Sequence, residues 1–399
     1  MSKRSERSER EVVIVEAVRS PLGKRNGALS AVHSIDLLGR VQAEAITRSG
    51  IDAKQIGQVI GGCVGQVGMQ TMNVTRNAWL AAGLPLEVAA TTVDTQCGSS
   101  QQATNLAYAL IASGVVDVAM GCGVEVMSRV PMGATVPKDP AVGKPINANY
   151  WNHYEMTSQF DGAERIAKQW GITRDDTDAF GKLSQDRGAR AWAEDRFASQ
   201  IVPIDAPIGF EDGKPTKETH RVDRDGGLRD TTREALSGLR TNMPDGVHTA
   251  GTSSQICDGA GAVLMMTREK AKELGLEPRA TIVDSCLIGS DPVLMLTGPI
   301  YATRKLLADN GMQMGDIDVT EINEAFASVV LAWQRELKPD METVNPNGGA
   351  IALGHPLGGT GAILLTKAVH ELERADKEHA IVTMCCGGGI GTGTLLRRG

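Results

Sequence analysis

The sequence predicts an α/β protein in which parallel sheets are covered by helices. Short apolar, β-branched runs end in turns and precede helical patterns, as at 12–18 (VVIVEAV) and 117–120 (DVAM). The same order returns in the C-terminal part, at 280–283 (ATIV) and 381–384 (IVTM). Such alternation favours parallel sheets with helices on their faces. A separation of roughly 260 residues between the two series predicts two similar halves.

The length of 399 residues exceeds what one hydrophobic core usually serves, so two or more compact units are expected. We expect an N-terminal half over 12–130, a return to it over 256–277, and a C-terminal half over 278–399. Residues 131–255 are rich in Asp, Arg, Pro and Gly, which predicts a loop domain inserted in the first half. Residues 1–11 are charged and lack an apolar core, which predicts a disordered tail and not a signal peptide.

Charge and cysteine content exclude several functional classes. The formal net charge of −7 gives no general attraction to nucleic acid or to an anionic membrane, so neither partner is expected. No uninterrupted apolar run approaches the length of a membrane span. The seven cysteines are scattered without C-x-x-C spacing, which argues against a zinc site or a redox dithiol. Free thiols in an odd number are typical of a reducing compartment, so we expect a cytoplasmic protein.

Cys97, in the segment TTVDTQCGSSQ, is the first candidate catalytic residue. A strand pattern ends there and a helical pattern follows at once, which predicts a thiol at a helix N-terminus. The positive end of the helix dipole is expected to lower the pKa of this thiol. The alternative is an inert buried cysteine, which is the usual fate of a free Cys.

His355 lies in the glycine-rich segment NPNGGAIALGHPLGGTGA, just before a helical pattern. Pro356 disfavours helix at the histidine itself and therefore predicts a loop. The near-neutral pKa of an imidazole suits the activation of a thiol. A purely structural histidine is the alternative.

Two further segments place polar groups at the ends of predicted strands. In MCCGGG, Cys385 follows a strand, and the glycines, including Gly387, leave backbone N–H groups free to form an oxyanion hole. The G-x-G spacing there hints only weakly at dinucleotide binding, and no helix follows it, so we reject that interpretation. In EINEAFA, Asn323 is placed to anchor a water or to orient the histidine loop. An ordinary helix cap is its alternative role.

Taken together, these segments resemble the thiolase family. Its nucleophile motif is present as DTQCGSSQQA, its asparagine motif as NEAF, its histidine motif as GGAIALGHPLG, and its second-cysteine motif as C-x-G-G-G. RSPLGKRNGAL near the start and TAGTSSQICDGAG are also similar to the family, so the resemblance covers nearly everything from residue 12 onward. It implies two βαβαβ halves forming a five-layered αβαβα sandwich with an inserted loop domain, assembled as a homodimer or homotetramer.

The resemblance also implies a role for each motif residue. Cys97 takes up the acyl group, and His355 activates it. Cys385 moves the proton on the carbon next to the thioester carbonyl. Asn323 holds a water in one oxyanion hole, and the N–H groups of Cys97 and Gly387 form the other. The implied reaction converts a 3-ketoacyl-CoA and coenzyme A to an acyl-CoA and acetyl-CoA, or the reverse, with coenzyme A as co-substrate and no bound cofactor or metal.

Contacts with the acyl-CoA are implied for four residues outside the catalytic set. These are Arg229 in LRDTT, Ser254 beside the pantetheine arm, Met295 near the acyl pocket, and Phe326 of NEAF.

The predicted loop domain, residues 131–255, departs from the family pattern at one point. Short-chain biosynthetic thiolases carry a His-Met pair where this chain has Ser158 and Gln159. The departure favours a degradative enzyme that takes longer or bulkier acyl chains, from fatty acids or sterol side chains. Gln159 is the fifth predicted binding residue, because its neutral amide can hydrogen-bond to a polar group on a bulky acyl chain. The predicted loop domain and the segment EINEAFASVV look most similar to the corresponding segments of actinobacterial thiolases of sterol side-chain breakdown.

Three other functions are alternatives to this one. A short-chain acetoacetyl-CoA thiolase would share every catalytic motif. A ketoacyl synthase would share the fold and the nucleophile but would need a second histidine where Cys385 stands. A non-catalytic acyl-CoA-binding protein of the same fold would have no need of an intact Cys97, His355 and Cys385.

Overall fold

The computed structural model describes residues 10–399, so residues 1–9 of the predicted tail lie outside the described residues. Glu11, at the end of that predicted tail, accepts hydrogen bonds from Arg268 and Arg397. The first strand begins immediately after it, at Val12.

Strands predicted from the apolar runs are present at the expected places. Within residues 10–399 the strands are β1 (Val12–Arg19), β2 (Gly23–Lys24), β3 (Gln58–Gly62), β4 (Ala89–Val93), β5 (Val118–Val126), β6 (Ile204–Pro207), β7 (Phe210–Glu211), β8 (Lys214–Pro215), β9 (Thr219–Val222), β10 (Cys257–Thr267), β11 (Ala280–Gly289), β12 (Val319–Ile322), β13 (His379–Cys386) and β14 (Ile390–Arg398).

The helices likewise cover the predicted helical patterns. Over the same residues they are α1 (Ser34–Ser49), α2 (Val74–Ala81), α3 (Ser99–Ala112), α4 (Ala148–Trp151), α5 (Gln159–Gln169), α6 (Arg174–Ala193), α7 (Arg233–Ser237), α8 (Arg268–Glu273), α9 (Gly298–Asn310), α10 (Ala327–Leu337) and α11 (Thr360–Ala375). None of these described helices combines the length and apolarity needed to cross a membrane.

The two halves each form one part of a continuous sheet. Its strand order is β12-β13-β14-β11-β1-β10-β5-β3-β4, and a short antiparallel pairing of β1 with β11 joins the halves. Among the described strands, parallel pairing joins β3 to β4 and β5, and β12 to β13. The expectation of parallel sheets is therefore wrong for β1, β10, β11 and β14. The β13–β14 pair shows why: three glycines close it as a hairpin, which needs no crossover helix.

Helices cover this sheet in layers. One core cluster lies between α1, α2 and the outer face of the N-terminal strands. A second encloses α3 and α11 between the N-terminal and C-terminal strands. Two further clusters pack α9 and α10 on the outer face of the C-terminal strands. Because the N-terminal and the C-terminal strands lie on opposite sides of α3 and α11, they form two β layers. The layer order is therefore α-β-α-β-α, which confirms the predicted five-layered sandwich.

The central layer brings the N-terminal ends of its two helices together. The backbone N–H of Ala362 donates to Ser100 Oγ at 2.9 Å. A methyl group on Gly361 would lie 2.2 Å from the backbone nitrogen of Gln101, so only glycine allows this approach. The segments just upstream, which carry Cys97 and His355, therefore meet at one edge of the layer.

Candidate active site

Cys97 lies in the turn that connects β4 to α3. Six of the seven cysteines are buried, whereas Cys97 retains partial exposure. Gln96, just before it, has a left-handed backbone with φ of 51°, a conformation that costs energy in a residue with a side chain. This turn presents the thiol to a cavity, which argues against the inert-cysteine alternative.

The pKa of the Cys97 thiol differs from the expectation. This pKa is raised to about 11, mainly by burial and also by the negative charges of Glu125 and Asp94. The backbone N–H groups of Gly387 and of Cys97 itself donate toward the sulfur and act in the opposite direction. The predicted lowering was wrong in its net direction, because desolvation outweighs these N–H donors. The resting thiol is protonated and needs a base.

His355 is buried and is suited to act as that base. Its Nδ1 lies 2.6 Å from Thr360 Oγ1, and the Thr360 hydroxyl donates onward to the carbonyl oxygen of Pro356 at 3.0 Å. Since that hydroxyl proton is already used, Nδ1–H must donate and Nε2 is left with its lone pair. Burial also lowers the pKa of His355 to about 4. The imidazole is therefore a neutral base at neutral pH.

Asn323 follows β12 and approaches the histidine from the other side. Its Nδ2 lies 3.4 Å from His355 Nε2, and its backbone N–H donates to the carbonyl oxygen of Thr383. Its Oδ1 is buried without a hydrogen-bond partner among the described residues. The helix-cap alternative is excluded, because α10 begins at Ala327 with Phe326 in the N-cap position.

Cys385 is the penultimate residue of β13 and is fully buried. Burial raises the pKa of its thiol, and the negative charge of an ionised Cys97 also raises it. The two sulfur atoms therefore lie close enough to interact electrostatically. Cys386, the next residue, instead packs under the start of α3. A methyl group on Gly98 would lie 2.6 Å from Cys386 Sγ, so glycine is required beside Cys97.

Two buried carboxylates that the sequence analysis missed hold the loops of the site. Glu324 accepts hydrogen bonds from Ser184 Oγ at 2.6 Å, from Asn345 Nδ2 at 2.8 Å and from the N–H of Ile351 at 3.1 Å. A methyl group on Gly349 would lie 2.2 Å from its carboxyl carbon. Glu324 thereby fixes the glycine-rich histidine loop to Asn323, its chain neighbour. Its place in NEAF was the only available signal.

The second carboxylate is Glu125, at the end of β5. Its Oε2 accepts from the N–H groups of Val64 and Gly358, both at 2.9 Å. Its Oε1 accepts from the N–H of Gly65 at 3.0 Å and from Gln70 Nε2 at 2.6 Å. Burial raises the pKa of Glu125, and these donors oppose that effect. The carboxylate ties the turn after β3 to the histidine loop.

A cleft of about 590 Å³, which we call the His355 cleft, gathers most of the predicted binding residues. Its walls include His355, Phe326, Ser254, Gln159 and the exposed Arg229. Two more exposed cations lie along it, Lys24 and Arg25.

A cavity of about 890 Å³, which we call the Cys97 cavity, adjoins this cleft. Cys97, Gly387 and Met295 line it, and Gln159 lines both spaces. Of the Ser158–Gln159 pair only Gln159 faces these spaces, because the Ser158 side chain caps α5 through Asp161.

Comparison with known proteins covers nearly the whole chain. The family model for the thiolase N-terminal domain matches residues 12–269, and that for the thiolase C-terminal domain matches residues 276–398. The chain is 42% identical over 394 residues to the steroid 3-ketoacyl-CoA thiolase FadA6 of Mycobacterium tuberculosis, covering 97% of this chain and 94% of that protein. It is 40% identical to a beta-ketoadipyl-CoA thiolase of Escherichia coli, covering 98% of this chain and 100% of that protein. The crystal structure of the Bacillus anthracis acetyl-CoA acetyltransferase superposes with a TM-score of 0.90 at 36% identity, over 98% of this chain and 100% of that one.

Proposed function

The chain belongs to the thiolase family, and we propose that it is a degradative thiolase that cleaves 3-ketoacyl-CoA esters through an acyl-Cys97 intermediate. One observation carries this proposal. Cys97, a partly accessible thiol that needs a base, lines a cavity that adjoins the cleft of His355, whose Nε2 carries the lone pair, and it interacts electrostatically with a second buried thiol, Cys385.

In the first half-reaction, the Cys97 proton passes to His355 Nε2 and the thiolate attacks the 3-keto carbon of the substrate. The N–H groups of Cys97 and Gly387, which already donate toward the sulfur, stabilise the developing oxyanion. The bond between C2 and C3 then breaks. The carbanion of the departing acetyl-CoA takes its proton from Cys385, which becomes a thiolate.

In the second half-reaction, coenzyme A replaces acetyl-CoA. Its thiol gives a proton to the Cys385 thiolate and attacks the acyl-Cys97 carbonyl. The Cys97 sulfur leaves and recovers its proton from the His355 imidazolium, so all three side chains return to their starting states. A single thiol could not carry the acyl group and move this proton in the same half-reaction.

Asn323 supports a second oxyanion site for the thioester oxygen. Its buried Oδ1 lacks a partner among the described residues and its Nδ2 faces His355. A water held by Asn323 next to His355 Nε2 would satisfy these groups and polarise the thioester carbonyl.

Coenzyme A would enter along the His355 cleft. Because the chain is acidic overall, the phosphates need local cations, and Arg229, Lys24 and Arg25 supply them along this cleft. Ser254 and Phe326 line the same cleft together with His355. The pantetheine arm would thus bring the thioester to the junction of the two spaces.

The acyl chain would occupy the Cys97 cavity. At about 890 Å³ this space exceeds what a four-carbon acyl group fills, which supports longer or bulkier substrates. Met295 and Gln159 line it. The names of the similar proteins refer to steroid and to beta-ketoadipyl substrates. These names therefore do not decide which class of acyl chain this protein accepts.

A thiolysis panel tests the substrate proposal. We expect a higher kcat/KM for medium-chain and ring-bearing 3-ketoacyl-CoA esters than for acetoacetyl-CoA, since each buried methylene contributes roughly 0.8 kcal/mol. A clear preference for acetoacetyl-CoA would favour the short-chain alternative.

A homodimer, or a tetramer built from two dimers, is supported by the one open edge of the sheet. At the β12 edge, Val344 bridges to Thr320 and covers the strand. At the other edge, β4 has no strand beyond it within residues 10–399. Uncovered edge strands favour pairing with another chain. The free state of all seven thiols supports a cytoplasmic location.

A further inference from the structure

The charges around the two spaces of the site differ in sign. The His355 cleft is lined by Lys24, Arg25 and Arg229. The Cys97 cavity is lined by two carboxylates, Asp94 and Glu125, and by no lysine or arginine among residues 10–399. The end of the site that holds the acyl chain is therefore acidic.

Asp94 lies three residues before the nucleophile and is exposed to the cavity. Its Oδ1 accepts a hydrogen bond from the N–H of Gln96 at 2.7 Å, which fixes the carboxylate in the nucleophile turn. Its negative charge raises the pKa of both Cys97 and Cys63, so its field reaches the place where the acyl group is attached.

Glu125 contributes a second fixed negative charge. Four N–H donors, two to each oxygen, favour the ionised carboxylate against the burial that raises its pKa. These hydrogen bonds also hold the carboxylate in place.

The other polar groups along the Cys97 cavity are neutral. They include the side chains of Gln66, Thr135 and Gln159. We propose that Asp94 is a specificity-determining residue that restricts this enzyme to uncharged acyl chains and rejects acyl chains that end in a carboxylate. A terminal carboxylate would enter a partly desolvated space that holds two like charges and no counter-charge. The inference rests on the proposed placement of the acyl chain in this cavity.

The test compares two CoA esters of equal chain length, hexanoyl-CoA and adipyl-CoA. Their dissociation constants are measured by calorimetry on the Cys97→Ala protein, which binds without being acylated, and on Cys97→Ala combined with Asp94→Asn. The amide oxygen of the introduced asparagine would keep an acceptor for the Gln96 N–H. Asp36→Asn in the same background is the matched control, because Asp36 is an exposed residue at the start of α1 and its substitution removes the same charge far from the cavity.

We expect Cys97→Ala to bind hexanoyl-CoA at least about tenfold more tightly than adipyl-CoA. We expect Asp94→Asn to bring the two dissociation constants closer by about tenfold, the order given by two unit charges about 12 Å apart at an effective dielectric of about 20. Asp36→Asn should leave the ratio unchanged. Equal binding of the two esters, or a ratio that Asp94→Asn does not change, overturns the inference. Thiolysis by the wild-type enzyme is measured separately, and its absence would overturn the proposed function without affecting the binding ratio.

Discussion

Two adjacent cysteines at the end of β13 have different surroundings and should respond differently to substitution. Both thiols feel the charge of an ionised Cys97, but Cys385 packs in the cluster that contains Phe326, whereas Cys386 packs beneath Gly98 on the other face of the strand. Cys385→Ser should still take up an acyl group on Cys97 from an acyl-CoA but lose thiolysis turnover by several orders of magnitude, because a serine hydroxyl is a far weaker acid than a thiol and cannot protonate the departing acetyl-CoA carbanion.

Cys386→Ala is the control for that substitution. Removing its buried sulfur should cost stability, on the order of 1 kcal/mol, while kcat stays within a few-fold of wild type. Steady-state thiolysis and thermal unfolding measure both effects. Near-normal turnover of Cys385→Ser would reject its role in proton transfer.

The buried His355 makes the stability of the folded protein depend on pH below neutrality. Its pKa is about 4 in the folded protein against an ordinary value of 6.5, so the unfolded chain takes up the proton first as the pH falls. The neutral imidazole therefore contributes its full share to the free energy of unfolding above pH 6.5. This contribution, about 3 kcal/mol, is lost as the pH falls from about 6.5 to 4.

His355→Gln cannot bind this proton. The free energy of unfolding of wild type relative to His355→Gln should therefore fall across that pH window, as measured by denaturant titrations at pH 4 to 8. A difference that stays constant with pH would show that His355 is not buried as a neutral base.

At the scale of structural elements, the histidine loop depends on close packing against Glu324. Gly349→Ala places a methyl group 2.2 Å from the Glu324 carboxyl carbon, which three hydrogen bonds hold in place. We expect a loss of about 1–3 kcal/mol of stability. The resulting shift of the loop should lower kcat by up to about 100-fold.

Gly315→Ala is a matched control, because no atom lies within 4 Å of the added methyl group and the backbone needs no left-handed conformation. Its stability should change by less than about 1 kcal/mol. If the two variants behave alike in kcat and in thermal unfolding, Glu324 does not position the histidine loop.

The sequence predicted those elements whose signals are local. Apolar runs correctly located β1, β5 and β13, although β5 continues through Gly121 to Val126 where a turn was expected. The position of Cys97 between strand and helix was also correct. The pKa of Cys97 could not be predicted in this way, because the residues that bury the thiol come from distant parts of the chain. Glu324 was missed for the same reason: one of its partners, Ser184, lies 140 residues away in α6.

At the scale of the whole molecule, the open β4 edge predicts association of two copies. Leu86, just before β4, is 70% exposed, which suits a contact between copies. Leu86→Glu should shift the protein from dimer toward monomer by placing a charge in the apolar contact. Light scattering over a range of concentrations measures the shift.

Val142→Glu adds the same charge at a residue of the 131–255 segment that is 71% exposed, and it should leave the mass unchanged. A monomeric wild-type protein, or a Leu86→Glu variant with the wild-type mass, would contradict pairing through β4.

The central claim is that Cys97 carries the acyl group. It is tested most directly by a brief reaction of the enzyme with a 3-ketoacyl-CoA ester in the absence of free coenzyme A, followed by acid quenching and peptide mass mapping. We predict one acylated residue, Cys97, in wild type, and no acylated peptide in Cys97→Ala. Acylation of Cys385, or acyl label that persists in Cys97→Ala, would contradict the proposed mechanism.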